Sequence, residues 1–386
     1  MDWRFIFIVS FFFILYAAIN VYLFVKIRSY ITKHFSRITG RIAETLFWIL
    51  VLIFPLSRIL NFLLGERISG FFTFGGALYF GYMVYLFFFF IAVDFILVTI
   101  HLYRRYRRKE RIVLMPHIKK PIGITVAILT LVLVIYGHRQ SLDPEIKKVR
   151  IKLERKSGVR DSVHLVFLSD LHLGNLIGKD RLEKWVHKIN GLNPDIVIIG
   201  GDIINRDLEP VINAQIAEVF KKVKSRYGLY AVTGNHDYFQ NVNNLVKYLE
   251  KGNIRFLQDR GVLIEDSFYL IGRKDRSSVN FGHSREALKT VLRPLEGNFP
   301  KILIDHQPIG LKEASDNGID LQISGHTHDG QMFPVTLFIG LLYEKAYGHH
   351  QRGKTQYLVS SGVGTAGPPL RVGSSGEIVS IKIDFK

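Results

Sequence analysis

Cysteine is absent from all 386 residues, which excludes a disulfide framework and any thiolate metal site. Acidic residues are unevenly scarce: residues 1–140 hold 5 Asp/Glu against 17 Lys/Arg, whereas 141–386 hold 28 against 34. The total of +18 invites a nucleic-acid reading, but most of the excess sits in short loops flanking apolar runs. That is the topology signal of a membrane protein, and no nucleic-acid partner is expected. A small-residue cleavage site is also lacking after the first apolar run, so that run reads as an uncleaved anchor rather than a signal peptide.

What fills the first 140 residues is Phe, Ile, Leu and Val. Four runs, at about 5–25, 42–64, 71–100 and 121–137, are long enough to cross about 30 Å of hydrocarbon as helices. The second contains Pro55 and Arg58, which point to a kink and a guanidinium reaching for an interface. Asp94 is the only acid well inside a span, which is thin for an ion pathway. It is expected to pair with the basic cluster at 104–111. The first loop carries Lys26, Arg28, Lys33, Arg37 and Arg41 with no acid, and the third carries eight Lys/Arg with Glu110 alone opposing. Positive loops stay cytoplasmic. Both termini then lie outside, which predicts a multi-pass protein of the cell (inner) membrane with an extracytoplasmic C-terminal domain. Arg139, Lys147, Lys148, Arg150 and Lys152 follow the fourth run, and a long domain is translocated largely regardless of such charge.

After Asp143-Pro144 the pattern changes. Residues 1–140 read as the membrane region, 141–160 as linker and first strand, and 161–386 as a globular domain. Short runs rich in Val, Ile or Leu at 163–169, 195–200, 229–233, 301–304 and 320–324 read as strands. The stretches 181–191 and 212–226 between the first three have apolar positions at helical spacing. Strand–helix alternation predicts a largely parallel, buried sheet under covering helices.

A polar residue of metal-binding type ends each run. Asp170-Leu171-His172, Gly201-Asp202, Gly234-Asn235-His236-Asp237, Asp305-His306-Gln307-Pro308 and Gly325-His326-Thr327-His328 form the series, and Gly362-Val363-Gly364 closes it. In open α/β sheets ligands gather at the carboxyl ends of strands. A single polar residue after a strand is ordinarily a turn former; five in phase are hard to explain that way. Carboxylate, imidazole and one amide suit a pair of divalent ions, and the mixed N/O set favours Mn, Fe or Zn over Mg or Ca.

These motifs, with the stretches 230–238 (YAVTGNHDY), 325–331 (GHTHDGQ) and 361–378 (SGVGTAGPPLRVGSSGEI), resemble the calcineurin-like metallophosphoesterase superfamily and its bacterial membrane-associated or exported branch. The likeness covers about 160–386. It implies a four-layer α/β/β/α sandwich, with 356–360 and 377–385 expected as late strands of the second sheet. It implies one metal held by Asp170, His172, Asp202 and His328, and a second held by Asp202, Asn235, His306 and His326. The ions would supply a bridging hydroxide for in-line attack on phosphorus. His236 then contacts the phosphate and protonates the leaving oxygen. The family often has a second Asp at position 205, supporting that histidine, where this chain has Asn205. An amide there stabilises imidazolium less than a carboxylate does, and Asp207 and Asp237 are candidate substitutes. Asp329 reads either as a support for a ligand imidazole or as exposed. Arg371 reads as an exposed structural residue, with contact to a phosphate as the alternative; His283, His349 and His350 read as surface residues and Asp305 as a strand-end residue.

For the substrate, the apolar stretch 332–342 leaves the site rim either as a buried connection or as a lip dipping into the bilayer. The lip favours a phosphoester or pyrophosphate carried by a lipid or envelope polymer. A phosphodiesterase for soluble nucleotides competes with it. A non-catalytic, metal-stabilised membrane binding or transport module is the reading from a different class.

Overall fold

The computed structural model describes residues 3–31, 33, 35–63, 66–107 and 116–386. It divides into two compact units, Met1–Gly137 and His138–Lys386.

The first unit is helical: α1 (Trp3–Tyr30), α2 (Arg37–Leu63), α3 (Glu66–Tyr106) and α4 (Pro116–Leu142), whose last residues pass into the second unit. All four are long and apolar enough to cross a membrane, and at most 22% of any such window is buried within the structure. Apolar side chains therefore face outward, which suits lipid and not water. A core of Leu23, Phe47, Tyr79, Met83 and Phe90 holds the helices together. Asp94 has partners on α1 as well, outside the basic cluster to which the sequence assigns it, and part of that cluster lies outside the described residues. Its carboxylate accepts from Tyr22 Oη at 2.7 Å and pairs with Lys26, because its helix face turns toward α1. Arg108, Lys109, Glu110 and Arg111 lie outside the described residues, as does the side chain of Arg58.

The second unit is built on two six-stranded sheets. The strands are β1 (Glu145–Leu153), β2 (Ser162–Leu168), β3 (Ile196–Ile199), β4 (Leu229–Ala231), β5 (Ile254–Phe256), β6 (Arg260–Ile264), β7 (Phe268–Gly272), β8 (Lys301–Ile304), β9 (Leu321–Ser324), β10 (Gly348–Arg352), β11 (Thr355–Val359) and β12 (Glu377–Phe385). The first sheet runs β1-β12-β2-β3-β4-β5 and the second β10-β11-β9-β8-β7-β6. Strands β2 to β5 are mutually parallel, as are β7, β8, β9 and β11.

Alternation along the strands sorts side chains between layers. Leu165, Phe167, Ile196, Ile198, Ile302, Ile304, Leu321 and Ile323 fill the space between the sheets. Val166, Leu168, Val197 and Ile199 turn the other way, onto α5 (Lys179–Gly191), α6 (Glu209–Asn213), α7 (Ile216–Phe220) and α8 (Val242–Glu250). On the far face Ile271, Leu303 and Tyr357 pack on α9 (Leu288–Leu292) and α10 (Leu311–Asp316). The result is the four-layer α/β/β/α sandwich.

Two expectations need correction. The stretch 377–385 joins the first sheet, not the second, as a strand between β1 and β2. Its residues serve two cores at once: Ile378 faces the helices while Val379, Ile381 and Ile383 face the other sheet. The helix expected over 212–226 breaks into α6 and α7, because Gln215 takes a left-handed conformation (φ 54°).

Candidate metal centre

The carboxyl ends of β2, β3, β4, β8 and β9 lead into Asp170, Asp202, Asn235, His306 and His326. Both sheets thus deliver side chains to one place. The backbone bends sharply to do so: Asp170 (φ 57°), His172 (φ 48°), Asp202 (φ 50°), His326 (φ 73°) and His328 (φ 51°) all occupy the left-handed region. Non-glycine residues reach it at a cost of about 1–3 kcal/mol each and cluster where function demands it. Hydrogen bonds hold these turns in place. Asp170 N donates to Gly201 O and His172 N to Asp202 O, each at 3.0 Å. His326 N donates to both oxygens of Asp170, at 3.1 and 3.0 Å, which ties the second sheet to the first. His236 N donates to Asp202 Oδ1 at 2.8 Å. Glycine is required at 234 and 325, where any Cβ would collide with the carboxylates of Asp202 and Asp170 respectively.

The donor atoms converge. Three overlapping groups have ligand atoms within 4.8 Å of one another: Asp170, His172 and His328; His172, Asp202 and His236; Asp202, His306 and His326. Asp202 Oδ2 lies 3.8 Å from His172 Nε2 and 3.4 Å from His306 Nε2. On one side the Nε2 atoms of His172 and His328 stand 3.1 Å apart, with Asp170 Oδ1 3.5 Å from the latter.

Whether these residues suit divalent cations is tested by their electrostatics. Asp170, His172, Asp202 and His306 are each no more than 2% exposed, and burying carboxylates without compensating charge costs several kcal/mol apiece. The imidazoles do not supply that charge evenly. Burial pushes His172 down to about 3 and His328 well below the ordinary imidazole value, and also lowers His326. Burial opposes charge on Asp202 too, but His306, His172 and His236 outweigh it and hold the carboxyl below the usual range; His306 is raised in return by Asp202. Asn235 Oδ1 and His306 Nε2 are buried with no hydrogen-bond partner. His306 Nδ1 donates to Gly200 O at 2.8 Å, so once a cation displaces the proton favoured by Asp202, Nε2 offers it a lone pair. Orphaned acceptors, neutral imidazoles and buried carboxylates fit divalent metal ions.

His236 stands at the rim, half-buried, its ring 4.6 Å from His172. Its Nδ1 bonds the backbone carbonyl of Asn205 at 2.7 Å. The sequence points to the Asn205 side chain as the orienting group, but the main chain takes that role. Neither proposed substitute takes part. Asp207 is exposed. Asp237 instead accepts from Ile203 N, Ile204 N and Gly234 N at 2.8–3.1 Å, clamping the loops after β3 and β4 to each other.

Arg371 is fully buried, contrary to the surface position expected of it. Its guanidinium donates to the carbonyls of Ser361, Gly362, Gly364 and Ser375 and approaches His328 Nδ1 at 3.5 Å. It braces the glycine-rich tail against a candidate ligand. Asp305 carries a bidentate partner, Arg285 at 2.6 and 3.2 Å, which steadies the residue before His306. Sequence reasoning misses Arg285 because nothing near it in the chain hints at Asp305. Asp329 is half-buried, and the group touching His328 is Arg371. His349 is exposed on β10, and His283 packs edge-on against Tyr238.

Comparison with known proteins places this geometry. Residues 163–330 match the family model described as calcineurin-like phosphoesterase. A transmembrane protein with metallophosphoesterase domain from Danio rerio is 33% identical over 66% of this chain and 61% of its own length. An uncharacterized metallophosphoesterase of Helicobacter pylori is 30% identical over 62% and 64%. One of Campylobacter jejuni is 27% identical over 97% of both chains, helical region included. The chain spans 61% of the length of the Danio rerio relative and of a similar one from Bos taurus.

Proposed function

This chain carries a calcineurin-like phosphoesterase domain, and on that premise we propose that it is a membrane-anchored, two-metal hydrolase of phosphoester or pyrophosphate bonds. The observation that carries the reading is the convergence of buried, orphaned donors from the strand ends of both sheets onto Asp202. Asp170, His172, Asp202 and His328 would hold one divalent ion, and Asp202, Asn235, His306 and His326 the other. Bound ions supply Lewis acidity toward the phosphoryl oxygens and an activated water. Asp202, shared by both groups, offsets the charge between them. His236 donates its Nδ1 proton to the Asn205 carbonyl and so turns Nε2 toward the site, where it can hand a proton to the leaving oxygen.

The substrate proposed is a phosphate borne by a lipid or an envelope carrier, with the catalytic unit on the extracytoplasmic side of the cell (inner) membrane. The positive loops of the helical unit support the side. Supporting the lipid is the apolar helix that follows His328. A soluble-nucleotide phosphodiesterase is the second reading. It is favoured by one observation: Phe239, 48% exposed, lies 4.8 Å from the His236 ring, and Phe281, 44% exposed, lies 6.0 Å from Phe239, all between ring centroids. Exposed aromatic faces of this kind stack on nucleobases.

The test is hydrolysis by the full chain, reconstituted in vesicles, across envelope lipid phosphates, nucleotides and an aryl phosphodiester, with bound metal measured on the same sample. About two Mn, Fe or Zn per chain with turnover of a lipid phosphate is the expected result. Turnover of nucleotides alone would move the assignment to the second reading. Absence of both metal and hydrolysis would leave a non-catalytic membrane module.

A further inference from the structure

Helix α11 (Val335–Leu342) begins seven residues after His328 and contains no charged residue. None of its residues is buried. Leu341, Leu342, Leu337, Phe338 and Val335 are 81, 75, 64, 56 and 49% exposed. At 3.6 residues per turn these five fall on one face, spanning about 160° of the helix circumference. Thr336 faces the opposite way and packs against Gly330 and Gly373. The large apolar face thus stands in solvent, while Thr336 and the half-buried Ile339 lie on the other side. Soluble surfaces rarely keep so continuous a patch.

We propose that α11 is an interfacial wedge, its apolar face seated among the headgroups and upper acyl chains of the bilayer that the chain itself crosses. A single loop within the second unit ties α11 to the emergence of a membrane span. His138, Gln140 and Ser141, at the end of α4, bond that loop: His138 Nδ1 meets Pro369 O at 2.8 Å, Ser141 Oγ donates to the same carbonyl at 3.0 Å, and Gln140 Nε2 donates to Ser375 Oγ at 2.9 Å. The same loop holds the root of α11. Gln331 Nε2 donates to Ala366 O and Pro368 O at 3.0 and 3.1 Å, and Phe333 N donates to Val372 O at 2.7 Å. A segment fixed to the foot of a membrane-crossing helix lies at the membrane surface. An apolar helix face at that level is stabilised by partial burial of about 5–10 Å.

The far end of α11 returns to the metal centre. Tyr343, the next residue, sets its ring edge-on to His326 at 5.9 Å. Both ends of the wedge therefore adjoin candidate ligands, and seating it would hold the site at headgroup depth. In assigning a lipid-borne phosphate to that site the inference rests on the proposed function; the seating of the helix does not.

The absence of cysteine makes the test direct. Leu341→Cys and, separately, Leu337→Cys are labelled with an environment-sensitive fluorophore in the full chain and reconstituted in phosphatidylcholine vesicles. Val159→Cys, 73% exposed in a loop of the same unit, is the reference. Unchanged metal content in each labelled variant shows that the fold is kept. Brominated acyl chains should quench the two α11 labels at least threefold more than the Val159 label, with aqueous iodide giving the reverse order. Iodide quenching equal to that at Val159 overturns the proposal. Protection from both quenchers also overturns it, since the face is then covered by protein, whether a second copy or the chain's own spans. Quenching by brominated lipid with no hydrolysis of any lipid phosphate keeps the wedge and removes the lipid substrate.

Discussion

Six residues separate His328 from Val335, yet the two neighbourhoods invert each other. Around His328 the chain buries carboxylates and imidazoles and bends five residues into left-handed backbone to do it. Along α11 it leaves five large apolar side chains in the open on an ordinary helix. Each arrangement is unfavourable for an isolated protein in water: one hides charge, the other exposes oil. On the readings proposed above, both would be relieved by something outside the polypeptide, a divalent ion in the first case and a bilayer in the second. The placement of these two costs side by side is what argues for one functional region. It also separates their tests, because metal and membrane can be withdrawn independently.

The largest effect should come from the shared ligand. Asp202→Asn removes the charge common to both groups of donors while keeping the shape, including the acceptor for His236 N. Since outer supports of metal ligands alone are worth about 10–100-fold, loss of the shared carboxylate should lower turnover by more than about 10³-fold. Metal analysis should find fewer ions per chain. Full activity in this variant would break the shared-carboxylate reading, and the comparison with α11 would lose its polar half.

Next in size is His236→Gln, expected to lower kcat by about 10²–10⁴-fold while bound metal stays constant. That split between turnover and metal content distinguishes a proton donor from a ligand; parallel loss of both would assign His236 to the metals instead. Arg371→Lys should weaken metal binding by about 10-fold, read as a higher metal concentration for half-maximal activity. A lysine keeps the charge but cannot reach four carbonyls and His328 together. Unaltered metal dependence would limit Arg371 to packing the tail.

Much of the candidate site is legible in the residue pattern because it is local. Each candidate ligand follows a run of Val, Ile or Leu, and a strand end is where a parallel sheet presents side chains to a site. The runs at 163–169 and 301–304 therefore locate β2 and β8 to within a residue. What the sequence hides is contact between distant residues. Nothing around 377–385 tells which sheet accepts that strand, since alternating Val and Ile suit either; insertion beside β2 is decided by packing on two faces. Arg371 reads as a surface residue because its partners are backbone carbonyls, which leave no mark in the residue pattern. Asp94 is matched by sequence to the nearest cations along the chain, whereas its partners Tyr22 and Lys26 are neighbours only once α1 and α3 pack.

The smallest effect is also the sharpest test of the inner region. Position 205 departs from the family's usual acid, and a side-chain reading makes that departure a weakness of the proposed proton donor. The geometry says otherwise, because His236 Nδ1 meets the main-chain carbonyl of residue 205 at 2.7 Å. Any residue that keeps the loop in place supplies that carbonyl. The loop is held independently of the Asn205 side chain: Asn205 N donates to Leu173 O at 2.9 Å, and Asp237 fixes Ile203 and Ile204 just before it. Asn205→Ala should therefore change kcat by less than about twofold and leave the pH–rate profile unmoved, since a backbone carbonyl keeps the same tautomer. Asn205→Asp should move the alkaline limb to higher pH, because a new carboxylate nearby favours imidazolium, the form that donates the proton. A tenfold loss in the alanine variant would put the side chain, not the main chain, in contact with the imidazole or the leaving group.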